Sequence, residues 1–264
     1  MPDILDPSLH PEKDERRRCA FCAYEGPLGT REHIWPERLW PLLPQRLMHH
    51  ESGDTSDMGS RRIWPAKPFT TKRRIDCDEC NHVRLERIEA RAAPCIALLA
   101  RDNFEGRISL DCQLRIAAFA FRMLAVGQYT NQVLRPVPRN HREYLAEHAT
   151  PPPRVEIWLW RYVGPDTTSA FIHGTPGNAL WPGEYTPTWF NSYRGLWRLG
   201  RLIVEICGRR DGRSFPIIPA SRSGYRRIWP MDDVSRVIVW PPGAGIDDNA
   251  WQAKVANLTE PITL

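Results

Sequence analysis

Two Cys-x-x-Cys pairs, Cys19/Cys22 and Cys77/Cys80, bracket a Glu32-His33 dipeptide, and Asn81 follows the second pair directly. Four thiolates in two such pairs can close a tetrahedral zinc site and tie two distant loops together. That closure carries Glu32, His33 and Asn81 towards one another. A carboxylate, an imidazole and an amide oxygen on a zinc-stapled platform suit hydrolysis of a phosphodiester with a second, harder divalent ion. His33 is the candidate general base, because an imidazole titrates near neutral pH and can take a proton from an attacking water. Glu32 and Asn81 are the candidate oxygen ligands of that ion, and His82 and Glu89 lie close enough to substitute.

Each assignment has a plainer rival. Either Cys-x-x-Cys pair could be a redox dithiol, although a thioredoxin-like setting is absent. His33 could be a structural or surface histidine and Glu32 a solvated charge. Asn81 could cap the helix that follows it. Arg61, Arg62, Lys67, Lys72, Arg73, Arg74, Arg84, Arg87 and Arg91 cluster around these residues. They suit a surface that grips phosphates without reading bases, with Arg73, Arg74, Arg84 and Arg87 as the foremost contacts. A solvated helix face balanced by Glu86 and Glu89 is the bland equivalent. His49-His50 reads as part of a polar loop, and Cys95, Cys112 and Cys207 as buried thiols.

The elements that must position this chemistry can be read from periodicity. Residues 1–18 form a polar arm ending in Arg16-Arg17-Arg18. Residues 19–100 hold the chemistry, with a Ser/Gly/Asp-rich loop over 52–60. A helix begins near Val83 and runs to about Ala100, with Pro94 expected to bend or break it. In the helical segment 101–150, Leu110–Val126 is apolar on almost every side and belongs in the core, and 138–148 is a more polar helix. From 151 to 264 the chain reads as β-rich. Strands are expected over 155–162, 169–173, 189–193, 202–207 and 234–240, with a closing helix over 247–257. The fold class is therefore α+β, an N-terminal zinc-bound module followed by helices and a mostly antiparallel sheet. Ile-Trp-Pro recurs at 34–36, 63–65 and 228–230 without a constant period, which reads as strand-end packing.

The whole chain narrows the function classes. With 264 residues, 42% hydrophobic content and eleven tryptophans, it has ample core material and is not a disordered chain. No run of eighteen apolar residues appears and the N-terminus is charged, so a soluble, cytoplasmic protein without a membrane partner is expected. Seven cysteines, four of them in Cys-x-x-Cys pairs, fit a reducing compartment with a metal. The net charge of +5 permits a polyanionic partner, and arginine carries nearly all of it. Arginine-favouring codon usage accounts for that bias equally well. Arginines 194–227 would make the C-terminal half a DNA-positioning region on charge alone, while its tryptophans read as core rather than as base-stacking platforms.

The arrangement Cys19-x-x-Cys22, Glu32-His33-Ile34-Trp35-Pro36 and Cys77-x-x-Cys80-Asn81 resembles the HNH endonuclease family, in its zinc-stapled branch that includes phage Holliday-junction resolvases. The resemblance covers roughly residues 19–90. It implies a ββα-metal module in which the acid-His pair sits on a β-hairpin and the second Cys-x-x-Cys opens the helix. It further implies that His33 activates water, that Glu32 and Asn81 bind Mg²⁺ or Mn²⁺, and that the four cysteines hold structural zinc. The expected activity is that of an endonuclease hydrolysing DNA, with RNA not excluded as substrate and a homodimer plausible for double-strand cutting. The pattern departs from the family in three ways. The acid is glutamate rather than aspartate, residues 37–70 are an insertion, and the family's middle asparagine is missing before Cys77, so a backbone carbonyl is expected to orient the histidine. The competing reading is a non-catalytic zinc module that binds nucleic acid or protein, with a thiol redox protein ranked last.

Overall fold

The computed structural model describes residues 17–29, 31–42, 48–52, 62–66, 72–130, 135–165, 170–177, 179–180, 191–211, 225–231, 237–256 and 262–263. The N-terminal part contains strands β1 (Glu32–His33), β2 (Met48–Ser52), β3 (Arg62–Ala66) and β4 (Lys72–Arg73), with a 3-10 helix over Glu37–Leu42. β1 pairs with β4 and β2 with β3, both antiparallel. A π-helical turn over Cys80–Leu85 leads into α1 (Glu86–Leu99). After β5 (Gly106–Ile108) come α2 (Leu110–Gly127) and α3 (Arg139–His148).

The rest is mainly sheet. It comprises β6 (Val155–Arg161), β7 (Ala170–Gly177), β8 (Ala179–Leu180), β9 (Ser192–Leu199), β10 (Leu202–Arg209), β11 (Tyr225–Trp229), β12 (Ile238–Trp240), helix α4 (Asp248–Ala256) and β13 (Ile262–Thr263). Five of these strands make one antiparallel sheet in the order β11-β6-β10-β9-β7. The molecule is thus mixed α and β with antiparallel sheets, as the pattern suggested. Among the described residues no helix is long and apolar enough to cross a membrane.

Period-two alternation sends the apolar residues of β6 to both faces of the sheet. Val155, Ile157 and Leu159 of β6 join the main core, whereas Trp158 and Trp160 face a second cluster with Tyr162, Ile203 and Trp251 of α4. Both faces are therefore covered, by α2 on one side and α4 on the other. The main core runs without a break from Cys19 and Trp35 through α1 and α2 to Trp240. Two glycines make the close fits possible. Gly200 turns β9 into β10 at a φ of +55°, and a Cβ there would meet the Ala100 carbonyl oxygen. Gly195 lets Leu124 of α2 lie directly on the sheet, since a Cβ would stand 2.5 Å from its methyl carbon.

Several expectations need correction. Pro94 lies inside α1 without ending it, because Ile88, Ala92, Cys95, Ile96 and Leu99 hold that helix to the core. The strand expected at 189–193 is centred later, at Ser192–Leu199, and β11 went unrecognised. Ile238–Trp240 pairs with β5 and stays outside the main sheet. His49 and His50 lie on β2 rather than in a loop. Cys95 and Cys112 form a disulfide joining α1 to α2, with Cα atoms 6.0 Å apart, so they are not separate thiols. Cys207 is a free, buried thiol. Of the three Ile-Trp-Pro copies, the first follows β1, the second lies within β3 and the third ends β11. Trp158, Trp160, Trp197 and Trp240 are core residues as expected, whereas Trp181 and Trp189 lie outside the described residues. So do residues 1–16, Arg61, Lys67 and all of the loop expected over 52–60 except Ser52, which ends β2.

Candidate functional site

The four cysteines come together. Their sulfurs all lie within 4.8 Å of one another, and Cys22 Sγ is 3.7 Å from Cys77 Sγ. Zinc–sulfur bonds of about 2.3 Å in a tetrahedron put sulfurs about 3.8 Å apart, so the tetrad fits such an ion. Each pair sits in a tight turn. Cys19 N–H donates to the Tyr24 carbonyl at 3.0 Å, and Ala20 N–H donates to the Ile75 carbonyl at 2.7 Å, joining the first turn to the chain just before the second pair. Phe21 and Cys77 N–H groups each donate to Cys19 Sγ at 3.4 Å. Arg139 of α3 holds the first turn from outside, donating to the carbonyls of Cys19 (3.0 Å) and Cys22 (2.7 Å).

The thiols cannot all ionise without a cation. A hydrogen bond from Cys80, supported by the Cys77 and Phe21 amides, draws Cys19 down to about 5. The same hydrogen bond pushes Cys80 up, and burial raises Cys77 to about 11. A bound divalent ion removes that conflict by taking all four as thiolates. Asp76, directly before Cys77, is fully buried, and neither of its carboxylate oxygens has a partner among the described residues. Burial, and next the Cys19 thiolate, push it up to about 8.

Beyond the tetrad the chain forms two short antiparallel strands and a helix. Glu32 lies opposite Arg73 and His33 opposite Lys72. The helical turn that starts at Asp78 then carries Asn81 and His82 into α1. In its π portion the Glu86 N–H bonds the Asn81 carbonyl, five residues back. Asn81 is therefore inside the helical turn and does not cap it. A cavity of about 540 Å³ opens between the β1–β4 pair and the helix, lined by Glu32, His33, Asn81, His82 and Glu89 together with Arg31, Pro36, Glu37, Arg38 and Glu86. Every residue read from the sequence as candidate base or as candidate ligand of the second ion thus borders one cavity.

The details differ from expectation in two respects. His33 Nδ1 faces Glu37 Oε1 at 3.5 Å, so a carboxylate one helical turn onward, not a backbone carbonyl, stands beside the ring. The ring packs edge-on against Trp40 with centroids 5.4 Å apart, and its Nε2 is buried without a hydrogen-bond partner among the described residues. Burial, then Lys72, lower the His33 pKa, and Glu37 opposes them. Glu32 is 6% exposed and forms an ion pair with Arg122 of α2. The same Arg122 nitrogen pairs with Glu89. Glu32 is therefore not a solvated charge, and part of its capacity is taken by a guanidinium. Burial, and next the Glu86 carboxylate, push the Glu89 carboxyl up, and Arg38 acts against that shift. Among the described residues, the cysteines are the one group of three or more such ligand atoms to converge within 4.8 Å.

Arg122 and Glu37 were missed from sequence. Arg122 had a signal, because a lone charge inside an apolar helix must be paired when buried. Glu37 stands four residues after His33 in a segment read only as insertion.

The basic residues divide. Arg73 donates to the carbonyls of Tyr129 and Lys72, both at 3.0 Å, which commits it to the fold. Arg84 lies 3.5 Å from Glu79. Arg74 and Arg87 are exposed, and Arg87 borders a separate cleft with Arg91, Asp111 and Arg115. The C-terminal arginines are largely internal. Arg209 is fully buried against Asp211, Arg227 pairs with Glu156 at 3.0 Å, Arg194 with Glu205, and Arg198 lies over the Tyr162 ring. Arg209, Arg227 and Arg194 are thus committed to internal ion pairs and do not themselves offer the DNA contacts that charge alone suggested. Arg213 and Arg222 lie outside the described residues.

No protein-family model matches this chain, and neither does any curated protein or solved structure.

Proposed function

We propose that the protein is a metal-dependent endonuclease of the HNH type, hydrolysing DNA phosphodiester bonds beside a structural zinc held by Cys19, Cys22, Cys77 and Cys80. The observation that carries this reading is the shared cavity: the β1 histidine borders it with Asn81, His82 and two carboxylates of a helix anchored by the cysteine tetrad. His33, whose pKa burial and then Lys72 lower, takes the proton from a water whose oxygen attacks phosphorus. Glu37 steadies the ring through Nδ1, which leaves Nε2 as the accepting atom. Attack in line expels the 3′-oxygen and leaves a 5′-phosphate. Glu32 and Asn81, with Glu89 and His82 as further donors, would hold Mg²⁺ or Mn²⁺, which supplies charge stabilisation at the phosphate and leaving oxygen. Arg74 and Arg87 are the exposed arginines available to grip the backbone.

Cleavage of plasmid DNA with Mg²⁺ or Mn²⁺, compared with an EDTA control and with His33→Ala, tests the reading. Metal-dependent nicking absent from the variant supports it, and an active His33→Ala enzyme refutes the assigned base. The second reading is a non-catalytic zinc module, favoured by the Glu32–Arg122 pair, which gives the acid a purely structural partner. It predicts bound zinc, no cleavage with any ion, and indifference of nucleic-acid binding to changes at His33.

A further inference from the structure

Arg122 is the least expected residue in the molecule. It sits in the middle of α2, on a turn where Phe119, Phe121, Met123 and Leu124 are all buried, and it is itself 0% exposed. No phosphate can reach it, so it is not a substrate contact. Its guanidinium instead converges on the cavity wall from behind. One terminal nitrogen, Nη2, pairs with both Glu32 and Glu89 and also donates to the His33 carbonyl at 3.2 Å. The other, Nη1, donates to the Ile34 carbonyl at 3.1 Å.

We infer that Arg122 is a positioning residue: from behind the cavity it fixes the backbone that carries His33 and sets the Glu32–Glu89 pair in place. β1 is only two residues long and pairs with an equally short β4, so its own ladder defines its direction weakly. The two carbonyls that Arg122 grips belong to the histidine and to the residue after it, and they fix where the imidazole points. The two carboxylates come from different elements, β1 and α1. A shared guanidinium between them ties β1 to α1 and gives both carboxyl groups a common partner. A lysine would keep the charge, but a point ammonium lacks the planar fork needed to span carboxylates and carbonyls together.

The inference rests on the nuclease reading for its catalytic consequence, but not for its structural one, and two measurements on Arg122→Lys separate them. Amide hydrogen exchange of the full chain, with zinc bound, is expected to rise roughly ten-fold over 32–34 while α2 and the cysteine turns stay protected. Plasmid nicking is expected to lose about 10²-fold in kcat with unchanged half-saturating DNA, as for a misplaced reacting group. A merely structural arginine would give the opposite pattern, with exchange rising throughout and activity following the folded fraction. Unchanged exchange over 32–34 overturns the inference whether or not the protein cleaves DNA. A wild-type protein that cuts nothing overturns the nuclease reading and leaves the exchange result to decide on Arg122. Should Arg122→Lys not accumulate as folded protein, Glu89→Gln weakens the anchor of the same guanidinium to α1. The same local rise is expected there, and its absence refutes the inference.

Discussion

Removing the metal from the cysteine tetrad is the sharpest test of the N-terminal architecture. Cys22 and Cys77 are 55 residues apart, so an ion holding both pairs closes a long loop. Treated as a cross-link of that length, it restricts the unfolded chain by about 4 kcal/mol. That is a large part of the 5–15 kcal/mol by which folded proteins are stable, roughly. For a chain of 264 residues, with its unfolding entropy scaled to size, it corresponds to a fall of about 7 °C in Tm. Metal analysis should find one zinc per chain in the native protein and none in Cys80→Ser. Calorimetry of that variant, or of the native protein with a strong zinc chelator, should show the lower melting point. Native protein that carries no zinc as purified, and whose Tm neither the chelator nor Cys80→Ser lowers, would refute the reasoning, since the sulfurs would then be close without an ion to close the loop.

Other consequences can be measured alongside. Reducing the Cys95–Cys112 bond, whose loop spans 17 residues, should cost about 3 kcal/mol in denaturant unfolding and leave the zinc content intact. His33→Ala should lose about 10³-fold in cleavage rate at unchanged Tm. Because burial and Lys72 lower the His33 pKa, the base form persists below the ordinary 6.5, and the acid limb of the pH-rate profile should fall below that value. Glu37→Gln removes the one influence that raises His33, so the limb should move further down and the rate fall roughly ten-fold; a limb that moves up would contradict the pairing. Trp197→Ala should cost about 3–5 kcal/mol by urea titration. That ring is fully buried and lies edge-on to Phe119 and to Trp35, whose backbone follows β1.

The readable parts of this molecule were those whose signal is local. Cysteine spacing placed the tetrad, and the apolar run of α2 and the helix over 139–148 came within a residue or two of their observed ends. β6 and β10 were legible because β-branched and aromatic residues fill both faces. What escaped depended on partners far along the chain. Tyr225–Trp229 carries two arginines that look like a loop until Glu156 neutralises Arg227 across the strand pair. The C-terminal arginines looked like a binding surface because their acidic partners lie in other strands and turns. Arg122 lies about ninety residues from the glutamate it holds, beyond the reach of any window of sequence.

The π-helical turn after Cys80 has a consequence for chain length. Its five-residue spacing sets Asn81 above Glu86, so that both face the cavity while Cys80 still points into the tetrad. Deleting one residue here, even the exposed Val83, would let an ordinary α-turn form. Everything before the deletion would then rotate by about 100° relative to α1. Either the cysteines or the cavity residues could keep their places, but not both. In this turn the side chain at position 83 is open to substitution, and the number of residues is not.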